Sequence, residues 1–108
     1  MFIRTYVYSN DKINARKIVE EFLNVIKKEI KTKKYIKNEI YWKDNNMYII
    51  EVEIDFYNNL DKRKLGYFLK DISDKWIVFG RPIDEFLTSQ KIEKSNLSSK
   101  VNMINIFC

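Results

Sequence analysis

Glu51, Glu53 and Asp55 place three carboxylates at alternate positions, the densest set of chemistry-bearing side chains in this 108-residue chain. In an extended strand they share one face at spacings of ~6.5–7 Å. That is near enough to hold Mg²⁺ or Ca²⁺, provided further oxygen ligands come from elsewhere. General acid–base work would instead need a proton partner at ~3 Å. The neighbouring residues nominate neither, so no metal site is expected. The ladder reads as a solvated face with cross-strand ion pairs to Arg4 or to lysines, or as a protein-binding surface. The rest of the catalytic inventory is thin. There is no His, two Gly allow no phosphate-cradling loop, and the single Cys108 is the last residue. The serines fall mostly between Ser89 and Ser99, with no base beside them. The expectation is a protein without catalytic residues, metal or cofactor.

A second constellation is basic. Lys27, Lys28, Lys31, Lys33, Lys34 and Lys37 face only Glu29 in their stretch, which by itself carries the whole formal net charge of +5. Lysines at the end of a helix oppose the partial negative charge there and need no ligand. The functional alternative is contact with phosphates or an acidic protein, although arginine, the better phosphate fork, is missing from the run. Aromatic residues make up 15% of the chain, and Tyr6 and Tyr8 are placed to stack bases or to pack against a protein. The acidic ladder beside them would repel phosphate, and the glycine-containing signature of RNA-recognition sheets is absent.

The elements that must position these residues are legible from periodicity. Phe2 to Tyr8 alternates as a strand, and Ser9-Asn10-Asp11 offers helix N-cap chemistry. From Lys12 to Lys31 the steps Ala15, Ile18, Val19, Phe22, Ile26 and Ile30 keep to one helical face. Ile36 to Lys43 is expected as a strand, Asp44 to Asn46 as a turn, and Met47 to Phe56 as the returning strand. There Tyr48, Ile50, Val52, Ile54 and Phe56 point to the core, opposite the carboxylates. A second helix follows over Leu60 to Ile72, with Leu65, Phe68, Leu69 and Ile72 inward. Trp76 to Phe79 is a short strand ended by Gly80-Arg81-Pro82, and Ile83 to Thr88 a short helix. Ser89 to Lys100 is a loop, and Val101 to Phe107 a closing strand.

This order implies a single α+β domain over residues 1–108, of ferredoxin-like βαββαβ type with an additional C-terminal strand. Two helices then cover one face of an antiparallel sheet, with the first and third strands adjacent at its centre. No segment offers the ~20 apolar residues of a membrane span. The start lacks the pattern of a signal peptide, so the expected location is cytoplasmic.

Ile, Lys and Asn supply 43 of the 108 residues, the bias of A/T-rich coding. With the small size, the missing catalytic set and the acidic, aromatic surface, this gives the chain a general character similar to small bacterial toxin-immunity proteins. Those of contact-dependent growth inhibition and related polymorphic toxins are the nearest kind. The resemblance rests on no single motif. It implies a non-catalytic protein that neutralises a cognate toxin domain in the cytosol, bound through Glu51, Glu53, Asp55, Tyr6 and Tyr8. The competing expectation is a small nucleic-acid-binding module that uses the Lys27–Lys37 run.

Overall fold

The computed structural model describes residues 1–108. Its elements are β1 (Phe2–Tyr8), α1 (Lys12–Leu23) with a 3₁₀ turn over Asn24–Glu29, β2 (Ile30–Tyr41), β3 (Asp44–Phe56), α2 (Lys62–Ile72), β4 (Ile77–Phe79), β5 (Glu85–Ser89) and β6 (Val101–Phe107). The six strands form one antiparallel sheet in the order β2-β3-β1-β6-β5-β4.

The core follows from alternation on the central strands. Ile3, Thr5 and Val7 of β1 lie beside Val52, Ile50 and Tyr48 of β3 on one side, and beside Ile106, Ile104 and Val101 of β6 on the other. All nine are buried. Ala15, Ile18, Val19 and Leu23 of α1 cover this surface, and Phe68 and Ile72 of α2 complete it. Both helices sit on this one face of the sheet. Asp11 caps α1 by accepting from the Asn14 amide at 2.7 Å, and Asp61 caps α2 in the same way from Lys64 at 2.8 Å.

The strand order departs from the ferredoxin-like pattern. That pattern puts the strand after the second helix next to β1, whereas here that strand, β4, lies at the far edge. β6 takes the central place because seven residues with fully buried Ile104 and Ile106 pair with β1 along its length, and three residues cannot. The expected helix at Ile83–Thr88 is also replaced by β5. Phe86 and Thr88 alternate toward the core beside Ile106 and Ile104, and five residues gain more from pairing with β6 than from a single helical turn. Gly80 makes the β4–β5 turn possible. It has φ +98°, and a Cβ there would run into the Asp84 carboxylate and the Pro82 carbonyl.

α1 is shorter than its periodicity suggests. It ends at Leu23, and Ile26 takes φ −110°, ψ 16° in the following turn while remaining buried. The apolar spacing therefore continues through a change of backbone, and Ile30 already belongs to β2. The basic run moves with this boundary. Lys27 and Lys28 lie in the 3₁₀ turn, whereas Lys31, Lys33, Lys34 and Lys37 lie on β2, an edge strand. Lysines on one edge and a three-residue strand on the other are both devices that discourage further strand pairing.

β2 is held against α1 by a polar cluster and by Asn38 Nδ2, which donates to the Lys12 carbonyl at 3.0 Å. The Glu20 carboxylate accepts from Lys33 Nζ at 2.6 and 2.7 Å and from the Tyr35 hydroxyl at 2.6 Å, and the Arg16 guanidinium lies 4.3 Å from the Tyr35 ring centroid. At the other end a hydroxyl relay ties the loops. Thr88 donates to Ser73 Oγ at 2.8 Å, and Ser73 donates to the Ser95 carbonyl at 2.7 Å. Gln90 Nε2 donates to the Ser98 and Val101 carbonyls, so the long loop over residues 90–100 is fastened to the sheet.

Two outcomes follow. Phe68 is fully buried, whereas Phe22 is half-buried with its ring 6.4 Å away. Phe68→Ala should cost about 3–5 kcal/mol of the ~5–15 kcal/mol typical of a domain, and Phe22→Ala distinctly less, measured by denaturant unfolding. The second outcome concerns pH. Burial alone would raise the Glu20 carboxyl, but the hydrogen bonds from Lys33 and Tyr35, together with the charges of Lys33 and Arg16, outweigh it and hold it below the usual carboxylate range. A depressed carboxylate stabilises the fold above its unfolded pKa, and that contribution is lost as pH falls through the folded value. Glu20→Gln should therefore lower Tm at pH 7, and the difference should shrink as the pH falls below the usual carboxylate range and through the folded value. Equal Tm differences across that range would show that Glu20 contributes no charge-dependent stability.

Candidate binding face of the sheet

Helices on one side leave the other face of the sheet open. Cross-strand partners share a face, and the register assembles that surface. Phe2, Arg4, Tyr6 and Tyr8 come from β1, and Met47, Ile49, Glu51, Glu53 and Asp55 from β3. β2 adds Thr32, Lys34, Lys37 and Glu39. Met103, Asn105 and Phe107 of β6 continue it, followed by Glu85, Leu87 and Ser89 of β5. Ile77 and Phe79 of β4 close the far side. Five carboxylates (Glu39, Glu51, Glu53, Asp55, Glu85) meet three cations (Arg4, Lys34, Lys37), so this face is net negative in a chain of formal charge +5.

All five residues expected from the sequence lie here, in different roles. Glu51 is buried and structural. Its Oε2 accepts from Arg4 Nε at 2.6 Å, and Lys37 Nζ stands 4.0 Å from its other oxygen. Arg4 is placed in turn over the Phe2 and Phe107 rings, 5.6 and 6.0 Å from their centroids. Asp55 is exposed and accepts from the Thr32 hydroxyl at 3.0 Å. Glu53 is exposed with no ion-pair partner, and Lys34 is its cross-strand neighbour. Tyr6 is half-buried. Burial raises its phenol above the ordinary value, Arg4 opposes that rise, and Tyr41 and Glu51 add to it. Tyr8 is 39% exposed, and its hydroxyl accepts from Asn102 Nδ2 at 2.8 Å.

The carboxylate ladder does not converge on a metal-binding arrangement: no group of three or more Asp, Glu or Cys side chains comes together as ligands anywhere in the fold. Cys108 follows β6 at the chain end, its amide bonded to the Asp84 carbonyl, and burial pushes its thiol up, away from the thiolate.

The basic residues of the Lys27–Lys37 run do not form one patch. Lys33 turns to the helix side and is engaged by Glu20, whereas Lys34 and Lys37 turn to the open face beside Glu53 and Glu51. A strand divides alternate residues between opposite surfaces, and a helix end would not have done so.

Trp42 escaped sequence reasoning. The hairpin turn is Trp42-Lys43, two residues earlier than the Asp44–Asn46 turn chemistry suggests, because Asp44 and Asn45 pair into β3 and the Asp44 carboxylate accepts from the Asn46 amide. The shift lifts Trp42 to the hairpin tip at 82% exposure, where Tyr41 connects it edge-on to Tyr6. A bulky aromatic directly before a lysine and an Asp-Asn-Asn run was the available signal.

No protein-family model, curated protein or solved structure matches the chain. No helix is long and apolar enough to cross a membrane.

The Arg4–Glu51 pair gives a direct test of this geometry. Arg4→Ala leaves a mostly buried carboxylate with only distant Lys37 for compensation, and should destabilise by about 1–3 kcal/mol. Glu51→Gln keeps an acceptor for Arg4 and removes the buried charge, so it should cost less. Chemical denaturation of both variants checks the ranking, and equal costs would contradict it.

Proposed function

We propose that the chain is a non-catalytic immunity protein that binds a cognate bacterial toxin domain in the cytosol and neutralises it, docking the toxin on the open face of the sheet. The observation that carries this reading is the contrast between that face and the rest of the molecule. A basic chain presents an uncovered, net-negative, aromatic sheet surface with Glu53 and Asp55 exposed. Carboxylates steer a basic partner in and reject others, while aromatic rings supply contact area at low entropic cost. The nucleic-acid alternative loses support because the lysine run is divided between two faces and partly engaged by Glu20 and Glu51.

The test first looks beside the gene for a candidate toxin domain and pairs the protein with it. Co-expression should restore growth, and purified components should form a complex. Charge reversal is best placed at exposed Glu53 and Asp55, since Glu51 is part of the fold. Glu53→Lys/Asp55→Lys should weaken the complex about tenfold, mainly through slower association. Wild-type affinity in the folded double variant would remove the carboxylates from the interface. Tight RNA or DNA binding with a steep salt slope, without toxin binding, would favour the nucleic-acid module instead.

A further inference from the structure

We infer that the corner of the open face where Tyr6, Tyr41 and Trp42 meet anchors the interface and receives a cationic side chain, arginine above all, from the partner protein. This rests on the binding reading above and adds to it a subsite and a ligand chemistry.

Trp42 contributes almost nothing to the core at 82% exposure, yet its ring continues an ordered aromatic series. Tyr6 and Tyr41 meet at 5.1 Å and 71°, and Tyr41 and Trp42 at 6.1 Å and 63°. Edge-to-face rings present their negative faces in different directions, as a cation-binding corner requires. Lys43 Nζ already stands 4.9 Å from the Trp42 centroid, so this indole attracts a cation within the chain itself. The rings border a depression of about 280 Å³ whose lining also carries Glu39 and Glu51 together with the cations already paired to them, Arg4 and Lys37.

The two carboxylates differ in availability. Glu51 is committed to Arg4 at 2.6 Å. The Glu39 side chain is 62% exposed and has only Lys37, at 3.8 Å. An incoming guanidinium can stack on an aromatic ring and fork its N–H groups onto Glu39, which a compact ammonium does less well. The overall negative balance of the face complements a basic partner.

The experiment uses the intact protein and hexa-arginine as the probe, followed by the indole N–H resonances at low salt. A cationic peptide meets net repulsion from a +5 chain, so localised binding must come from local chemistry. The Trp42 resonance should shift saturably. Trp76, whose indole N–H donates to the Leu69 and Ser73 carbonyls, should stay in place. Trp42→Ala should weaken binding about tenfold, Trp42→Tyr should recover most of it, and Glu39→Gln should cost about threefold. A stationary Trp42 resonance, an equal response to hexa-glutamate, or unchanged affinity in Trp42→Ala would overturn the assignment. The same variants against the toxin domain separate the two readings. If Trp42→Ala binds it normally while Glu53→Lys/Asp55→Lys does not, the anchor is wrong and the binding face stands. If the toxin domain is not bound by the wild type, the function itself fails.

Discussion

A sheet with helices on only one side obliges its central strands to alternate, and this constraint governs the rest of the molecule. On β3 the residues Tyr48, Ile50, Val52 and Ile54 are all buried under the helices. A shift of one residue in register would exchange that apolar set for Glu51, Glu53 and Asp55, at the cost of charges beneath α1. Core and candidate binding face are thus two readings of one alternation. Neither can be changed independently of the other.

The open face is organised around the same register. Pairing Arg4 with Glu51 across β1 and β3 places one ion pair at the middle of the sheet, and the flanking Phe2 and Phe107 rings orient the guanidinium. Glu51, one of the three carboxylates of the ladder, therefore becomes a structural group. Glu53, Asp55 and Glu39 keep their charges toward solvent, and the aromatic corner sits beside them at the β2–β3 hairpin.

Legibility in the sequence followed the strength of each pattern. β1, β3, α2, β6 and the Asp11 cap carried strong alternation, helical spacing or cap chemistry, and each lies within a few residues of its expected place. The pairing of β1 with β3 was also accessible from topology rules. The misread segments had competing signals. Ile26 and Ile30 mimic a helical repeat across a backbone change, and the lysines of β2 look like a helix end although they guard a sheet edge. β5 is too short for its period to speak, and its place depends on pairing with β6, a contact between distant parts of the chain. The signal for Trp42 is weak, because a two-residue displacement of the turn decides whether it lies within a strand or stands at the hairpin tip.

Docking on the face opposite the helices can be read out by hydroxyl-radical footprinting of the chain alone and in complex with the proposed toxin domain. Tyr8, Trp42 and Phe79 report the open side, and Ile13, Tyr57 and Tyr67, exposed at 73%, 66% and 59%, report other surfaces. Tyr8 and Trp42 should be protected on binding while Ile13 and Tyr67 react at unchanged rates. Protection of Ile13 and Tyr67, with Tyr8 and Trp42 still reactive, would contradict docking on that face.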